Sequence, residues 1–115
     1  MQADTLELKI YRFSINVFSF VKSLEKLEFS NDQTRLMAQT SNSLYSQFID
    51  YEDAKDNDTI RKNLEACVEI SLKCFELFKN TDFKDILLNE KVDLTIEASE
   101  ISKILVEKFG KIQKK

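Results

Sequence analysis

The sequence predicts an all-α protein, an antiparallel up-down-up-down four-helix bundle that forms one domain over residues 1–115. Three observations predict this fold. The chain has no Pro and one Gly, so it lacks the residues that make the frequent turns of a sheet or barrel. Apolar residues recur at steps of three and four through four long segments. Only short polar stretches separate these segments, which favours antiparallel neighbouring helices.

The first predicted helix covers residues 5–28. Ile15 and Phe18 lie off its main apolar stripe, and a second buried face, shared with another subunit, would account for them. The main stripe, which we expect to face the core, comprises Leu6, Ile10, Phe13, Val17, Phe20, Val21, Leu24 and Leu27.

The second predicted helix covers residues 31–52. Ser30 precedes it and Gln33 follows three residues later, which is the pattern of a capping box. Small polar residues fill positions 39–43, and such a run within a helix indicates close helix approach or an interface. The residues at core spacing are Leu36, Met37, Thr40, Leu44, Tyr45, Phe48 and Ile49.

The third predicted helix covers residues 58–79 and follows an acidic stretch, residues 50–58, with five acids and one base. These carboxylates favour the positive N-terminus of the helix. A divalent-ion loop is the alternative, but the stretch lacks the Gly and the terminal Glu of a calcium loop. The predicted core positions of this helix are Ile60, Leu64, Cys67, Ser71, Cys74 and Phe78.

The fourth predicted helix covers residues 89–113, with Asn89 as its cap and a short turn over residues 83–88 before it. Its expected core stripe is Val92, Ile96, Ile101, Ile104, Leu105, Phe109 and Ile112. Across the third and fourth helices, the residues that we expect to be fully buried are Leu64, Cys67, Cys74, Phe78, Ile101 and Leu105.

The two cysteines indicate a reducing compartment. Cys67 and Cys74 lie seven residues apart, which on a helix separates them by roughly 10 Å, too far for a disulfide. We therefore expect both to be small core residues. The sequence has no apolar run near the length of a membrane span and no signal-peptide pattern at Met1, so we expect a soluble cytoplasmic protein.

The composition also excludes most catalytic chemistry. The chain has no His, so it cannot form a Ser–His or Cys–His nucleophile, a zinc site with His ligands, or the Glu-x-x-His pairs of a di-iron bundle. A single Gly leaves no phosphate-binding loop. We therefore expect no enzymatic activity, no cofactor, no metal and no small-molecule substrate.

Basic residues are dense only near the C-terminus, where residues 103–115 carry five Lys and one Glu. Such a cluster can contact phosphates, although a helix C-terminus also favours cations and the whole chain has a net charge of −3. We expect the acidic stretch at residues 50–58 to lie away from any such contact. The candidate polyanion contacts are Lys103, Lys108, Lys111, Lys114 and Lys115.

The segment 35–49, the acidic stretch after it and the segment 59–66 resemble a bacterial four-helix-bundle family. This is the family encoded in intervening sequences of 23S ribosomal RNA genes, with the accessory variability proteins of diversity-generating retroelements as relatives. Thr40 and Ser41 match its Thr-Ser pair, and Leu64 matches the leucine of its third helix. The segments 8–11 and 101–105 also fit the pattern.

Four positions depart from the family pattern: Met37, Ser43, Tyr45 and Gln47 stand where the family usually has Arg, Gly, Asn and Glu. The resemblance implies a pentameric assembly and, for the retroelement branch, work with a reverse transcriptase and structured RNA through basic surfaces. The missing Arg and the acidic net charge weigh against direct RNA binding, whereas the bundle and the oligomer do not depend on them.

The function that we predict is a non-enzymatic, oligomeric accessory or scaffold protein of ribonucleoprotein type, in contact with RNA or a reverse-transcriptase partner. The alternative is a purely protein-binding scaffold with no nucleic-acid role. Apolar residues in excess of a single core stripe independently favour a homo-oligomer, and the resemblance favours a pentamer. The candidate interface residues are Ile15, Phe18, Tyr45 and Phe75.

Overall fold

The computed structural model describes residues 5–29 and 31–113, and it confirms an all-α four-helix bundle. The described residues contain no strand. Each predicted helix boundary agrees with the observed one to within one or two residues. The helices are α1 (Leu6–Lys26), α2 (Asp32–Asp53), α3 (Asn57–Asn80) and α4 (Leu88–Gln113).

The four helices pack in cyclic order, so that each contacts its two neighbours in the bundle. The α1–α2 face of the bundle therefore lies opposite the α3–α4 face. The seam between α1 and α4 is the least closely packed of the four. This arrangement gives the bundle four outer faces, one over each pair of neighbouring helices.

One hydrophobic core runs through the bundle. The six residues predicted to be fully buried are each 2% exposed or less, which confirms the assignment of the core faces of α3 and the second half of α4. Phe83, in the connection between α3 and α4, packs edge-on against Phe20 with ring centroids 5.2 Å apart. It ties that connection to the core, since aromatic pairs in this geometry attract each other beyond their buried area.

The capping box of α2 uses Asn31 and Thr34, so the predicted pairing of Ser30 with Gln33 is wrong. The Asn31 side chain accepts a hydrogen bond from the Thr34 amide at 3.0 Å, and the Thr34 hydroxyl accepts one from the Asn31 amide at 3.0 Å. Thr34 is buried, whereas Gln33 is exposed. Ser30 itself lies outside the described residues.

The start of α4 also differs from the prediction. The helix begins at Leu88, so Asn89 lies within its first turn and is not its cap. The preceding turn has Lys84, Asp85 and Leu87 at positive φ, with angles of 53°, 66° and 52°. The left-handed region costs an L-residue about 1–2 kcal/mol. This turn therefore carries backbone strain that the packing of Phe83 in the core sustains.

The first half of α4 turns a different face to the core from the one predicted. Val92 and Ile96, expected on the core stripe, are exposed, whereas Leu94 and Ala98 are buried. The reason is register: Ala98 and Leu94 continue the stripe of Ile101 at steps of three and four, and Ile96 lies about 140° away from Ile101 around the helix. Two further residues expected on core stripes, Leu27 and Leu36, are also exposed.

The prediction that both cysteines are core residues is confirmed, because Cys67 and Cys74 are buried and form no disulfide. Burial raises the pKa of the Cys67 and Cys74 thiols to about 12 each. A thiol reacts as its thiolate, so neither group is poised for chemistry at neutral pH. Within residues 5–29 and 31–113, none of the helices has the combination of length and apolar character that crossing a membrane requires.

Candidate functional site

A groove runs between α1 and α2 on the outside of the bundle, with a volume of about 590 Å³. We call it the α1–α2 groove. Tyr11 packs against Tyr45 within it, with ring centroids 5.3 Å apart, and this pair joins the two helices. The described residues that line the groove are all uncharged: Tyr11, Ser14, Ile15, Phe18, Ala38, Gln39, Asn42 and Tyr45.

The α1–α2 groove exposes large apolar side chains because α1 carries a second stripe. Tyr11, Ile15 and Phe18 follow one another at steps of four and three, and they lie on the α2 side of the outer face of α1. Ile15 is 46% exposed and Phe18 is 58% exposed. Apolar side chains of this size, grouped in one depression, are typical of surfaces that contact another molecule.

The small polar residues of α2 divide between the core and the groove. Thr40 and Ser41 are buried, and the Ser41 hydroxyl donates a hydrogen bond to the Ala38 carbonyl at 3.1 Å. Gln39 and Asn42 line the groove beside Ala38. Together these three uncharged residues form part of the α2 wall of the groove. That this run marks close helix approach or an interface stays a prediction.

The basic residues of α1 and α2 do not give the groove a positive surrounding. Lys9 and Arg12 lie on the other side of α1, beside Glu97 and Glu100 of α4, and Arg35 pairs with Asp32. Lys22 lies with its Nζ 5.4 Å from the centroid of the Phe18 ring, a cation–π contact at the edge of the groove. Its ammonium also pairs with Glu25 at 3.6 Å.

A second exposed apolar surface lies on the opposite, α3–α4 face of the bundle. Leu88, Val92 and Ile96 follow at steps of four on the outside of α4, and Val106 lies further along the same side, beyond Ser99 and Lys103. We call the four exposed apolar residues the α4 ridge. Leu72 of α3 is exposed on the same face. Over their full lengths, α3 carries four acidic and four basic residues and α4 carries five acidic and four basic residues, so the helices of this face have almost no net charge.

Of the four candidate interface residues, the structure brings three together. Ile15, Phe18 and Tyr45 line the α1–α2 groove. Phe75 lies on α3, half-buried against the core, with the Lys79 ammonium 5.7 Å from its ring centroid. That these residues form an interface stays a prediction.

Sequence reasoning missed the α4 ridge because it assigned Val92 and Ile96 to the core. The signal was present in the spacing, since α4 carries two apolar repeats that cannot share one face. One repeat passes through the buried residues Leu94, Ala98 and Ile101, and the other passes through Val92, Ile96 and Val106.

Among the described C-terminal lysines, Lys103 and Lys108 do not share a helix face. Lys103 is exposed, and Lys108 lies five residues later, about 140° around the helix from it. Lys108 is half-buried and Lys111 is exposed. The other two candidate polyanion contacts, Lys114 and Lys115, lie outside the described residues.

We expected the acidic stretch to lie away from the candidate polyanion contacts. Lys108, one of those contacts, nevertheless lies close to Glu52 of the acidic stretch. Burial and a hydrogen bond with Glu7 raise the pKa of Glu52, and the charge of Lys108 partly offsets this rise. The groups meet because an up-down-up-down bundle places the start of α1 and the ends of α2 and α4 at one end of the molecule.

A polar cleft of about 270 Å³ lies in the seam between α1 and α4. Glu90, Asp93 and Glu97 of α4 line it opposite Asn16 of α1. The pKa of Glu97 is raised, mainly by burial and also by the negative charges of Asp93 and Glu100. The hydrogen bond with Asn16 and the positive charge of Lys9 partly offset this rise. No group of three or more metal-binding side chains comes together within the described part of the chain.

The positions that match the family motif are all internal: Thr40, Ser41 and Leu64 are buried in the bundle. In this chain they therefore serve the packing of α2 and α3 and do not form a surface site. Comparison of the sequence with family models and with curated proteins, and of the structure with solved structures, finds no match to this chain.

Proposed function

We propose that this protein is a non-enzymatic, self-associating scaffold whose assembly contact is the α1–α2 groove. The observation that carries the proposal is the exposure of Ile15 and Phe18, each about half open to solvent, beside the Tyr11–Tyr45 pair in an uncharged depression. Leaving this surface in water costs about 25 cal/mol per Å² relative to covering it. Association would recover that free energy.

The composition of the groove supports a protein partner. Aromatic residues are enriched and charged residues depleted at the centres of protein interfaces, and the groove combines three aromatic rings with an absence of charge among its described lining residues. Tyr11 and Tyr45 also carry hydroxyl groups, which allow an apolar contact to end in a hydrogen bond.

A ribonucleoprotein accessory role, with RNA or a reverse-transcriptase partner and a pentameric assembly, is the second candidate. It rests on the resemblance to the 23S rRNA intervening-sequence proteins and on the exposure of Lys103 and Lys111. The proximity of Lys108 to Glu52 weakens the positive field at that end of the bundle and favours the purely protein-binding alternative.

The test of self-association compares Phe18→Ser with Leu27→Ser by light scattering at micromolar concentration. Phe18 lies in α1 and Leu27 caps its C-terminal end. Both are exposed apolar residues, but only Phe18 lines the groove. We expect an oligomer for the wild type and for Leu27→Ser, and a lower mass for Phe18→Ser. A wild type with the mass of one chain, 13.4 kDa, would refute the proposal.

A further inference from the structure

The occupant of the α1–α2 groove can be inferred from the apolar stripe of α1 that forms one of its walls. Resting on the self-association proposed above, we propose that the same groove of a second copy covers it, with the two α1 helices antiparallel about a two-fold axis. The spacing of the stripe reads the same in both directions, because its residues follow at steps of three, four and three: Leu8, Tyr11, Ile15 and Phe18.

The groove continues past the Tyr11–Tyr45 pair into a neighbouring depression of about 410 Å³. We call it the N-terminal hollow, and its described lining residues are Thr5, Glu7, Leu8, Tyr11 and Tyr45. At the other end of the groove lies Phe18, which at 58% is the most exposed of the large apolar side chains that the structure describes. One face of the protein therefore carries both an exposed ring and a hollow with aromatic walls.

A two-fold axis at the level of residue 13 pairs this stripe with itself. Phe18 then enters the N-terminal hollow of the second copy and meets Leu8, while Ile15 meets Tyr11, so every layer of the contact is apolar. The hollow has room for the ring, because an apolar cavity of about 150 Å³ accepts a benzene molecule. A surface that complements itself in this way is the requirement of an isologous dimer.

The N-terminal hollow lies at an acidic end of the bundle. Glu7 lines the hollow, and its carboxyl group hydrogen-bonds with that of Glu52. The negative charge of Asp53 also acts on Glu52, and the positive charge of Lys108 opposes it. Three carboxyl groups therefore interact with one ammonium group here, and a further cation beside Glu7 would be attracted to them.

Lys22 supplies this cation in the two-fold contact. Its Nζ lies 5.4 Å from the centroid of the Phe18 ring, so the ammonium accompanies Phe18 to the hollow of the second copy and meets Glu7 there. Within its own chain Lys22 pairs with Glu25 at 3.6 Å, with both side chains exposed. An exposed pair contributes little free energy, so it competes weakly with the contact to Glu7. The symmetry forms the Lys22–Glu7 pair twice.

Charge reversal tests this pairing, because Glu7 and Lys22 lie 15 residues apart on α1. That separation is about 22 Å, so the two side chains cannot meet within one chain. Glu7→Lys and Lys22→Glu should each raise the Kd of the dimer about tenfold, since each places like charges together at two equivalent positions. The double variant should return to the wild-type Kd, because it pairs the reversed charges again. Analytical ultracentrifugation over a dilution series measures each Kd.

An equal mixture of the two single variants should also dimerise like the wild type, since each mixed dimer has a lysine opposite a glutamate at both positions. Lys62→Glu and Glu65→Lys are matched controls on exposed positions of α3, and both should keep the wild-type Kd. Circular dichroism checks the helix content of every variant. If Glu7→Lys loses helix, Glu7→Gln and Lys22→Gln replace the reversals: each should weaken the dimer, and their combination should weaken it no further.

The results separate failure of the two-fold contact from failure of self-association. A wild type that stays monomeric refutes the proposed self-association itself, and the two-fold contact with it. If Phe18→Ser dissociates the wild-type assembly but the single charge variants keep the wild-type Kd, the two-fold pairing is overturned and association through the groove stands. A double variant as weak as the single ones, or a wild type that saturates above the mass of two chains, overturns the pairing as well.

Discussion

Glu97 places a carboxyl group half-buried in the seam between α1 and α4, with Asp93 and Glu100 nearby on the same helix. Burial disfavours the charged form, and the neighbouring acids add to this effect. A raised pKa in the folded state means that folding prefers the protonated acid. The ionised group therefore opposes folding at neutral pH, and stability rises as the pH falls through the folded-state pKa.

We predict that Glu97→Gln raises the melting temperature at neutral pH. The amide can still hydrogen-bond with Asn16 but carries no charge to desolvate or to repel Asp93 and Glu100. The difference from the wild type should become independent of pH below the ordinary carboxyl value of 4.5, where the acid is protonated in both states.

The matched control for this prediction is Glu65→Gln on α3, which removes an equal charge from an exposed position. Thermal unfolding followed by circular dichroism across a pH series measures both variants. A Glu97→Gln protein less stable than the wild type at pH 7 would show that the carboxylate contributes more through its contacts than its burial costs.

At the scale of elements, each helix begins where a side chain satisfies a free amide, except α4. The Thr5 hydroxyl accepts from the Leu8 amide at 3.2 Å, and Asp56 accepts from the Thr59 amide at 3.2 Å. The start of α4 follows the strained turn at residues 84–87. Tertiary packing, and not local sequence, therefore sets where this helix begins.

We predict that Lys84→Gly stabilises the protein by about 1 kcal/mol, because Gly adopts positive φ without the steric cost that Lys bears. Lys84 is exposed, so the substitution removes no core packing, and its amide can still donate to Asp82. Lys84→Ala is the control, since it removes the charge and keeps the Cβ. Urea denaturation measures both variants, and equal stabilities for Gly and Ala would contradict the role of strain.

At the scale of the whole molecule, charge is balanced between the two halves of the bundle. Helices α1 and α2 together carry five basic and six acidic residues, and α3 and α4 together carry eight basic and nine acidic residues. Neither half presents the strongly basic field that is typical of nucleic-acid-binding proteins.

If the protein nevertheless binds RNA, we predict that the contact lies at the C-terminal end of α4. Replacing Lys108, Lys111 and Lys115 with Gln should weaken binding and flatten its dependence on salt, because fewer phosphate counterions are released. Fluorescence anisotropy over a salt series measures this effect. Light scattering should show that the oligomer mass is unchanged.

The control for this prediction is a triple variant that replaces Lys55, Lys62 and Lys73 with Gln, three exposed lysines of α3 and of the linker before it. It removes the same charge and should leave RNA binding nearly unchanged. A wild type without RNA binding at low salt would reject the polyanion role and leave the protein-binding scaffold.

Most of the fold could be predicted because the information lies in local periodicity. The stripes of α1 and α3 each offer a single good solution, and residues such as Leu64 and Phe78 were correctly assigned to the core. In α4, two apolar repeats compete, and local spacing does not rank them. Packing of Leu94 and Ala98 against the other helices decides between them, and the other repeat becomes the α4 ridge.

The features of the candidate site likewise fall into those that local spacing predicts and those that helix packing decides. The sequence by itself determined that the chain forms four helices and that Ile15 and Phe18 lie outside a single core stripe, because both follow from residue spacing within one helix. Only the tertiary structure decided that they join Tyr45 in one groove, that Phe75 lies elsewhere, and that Lys108 meets Glu52. These relations depend on how helices pack across the bundle, and contacts between residues distant in the chain are not encoded in any local repeat.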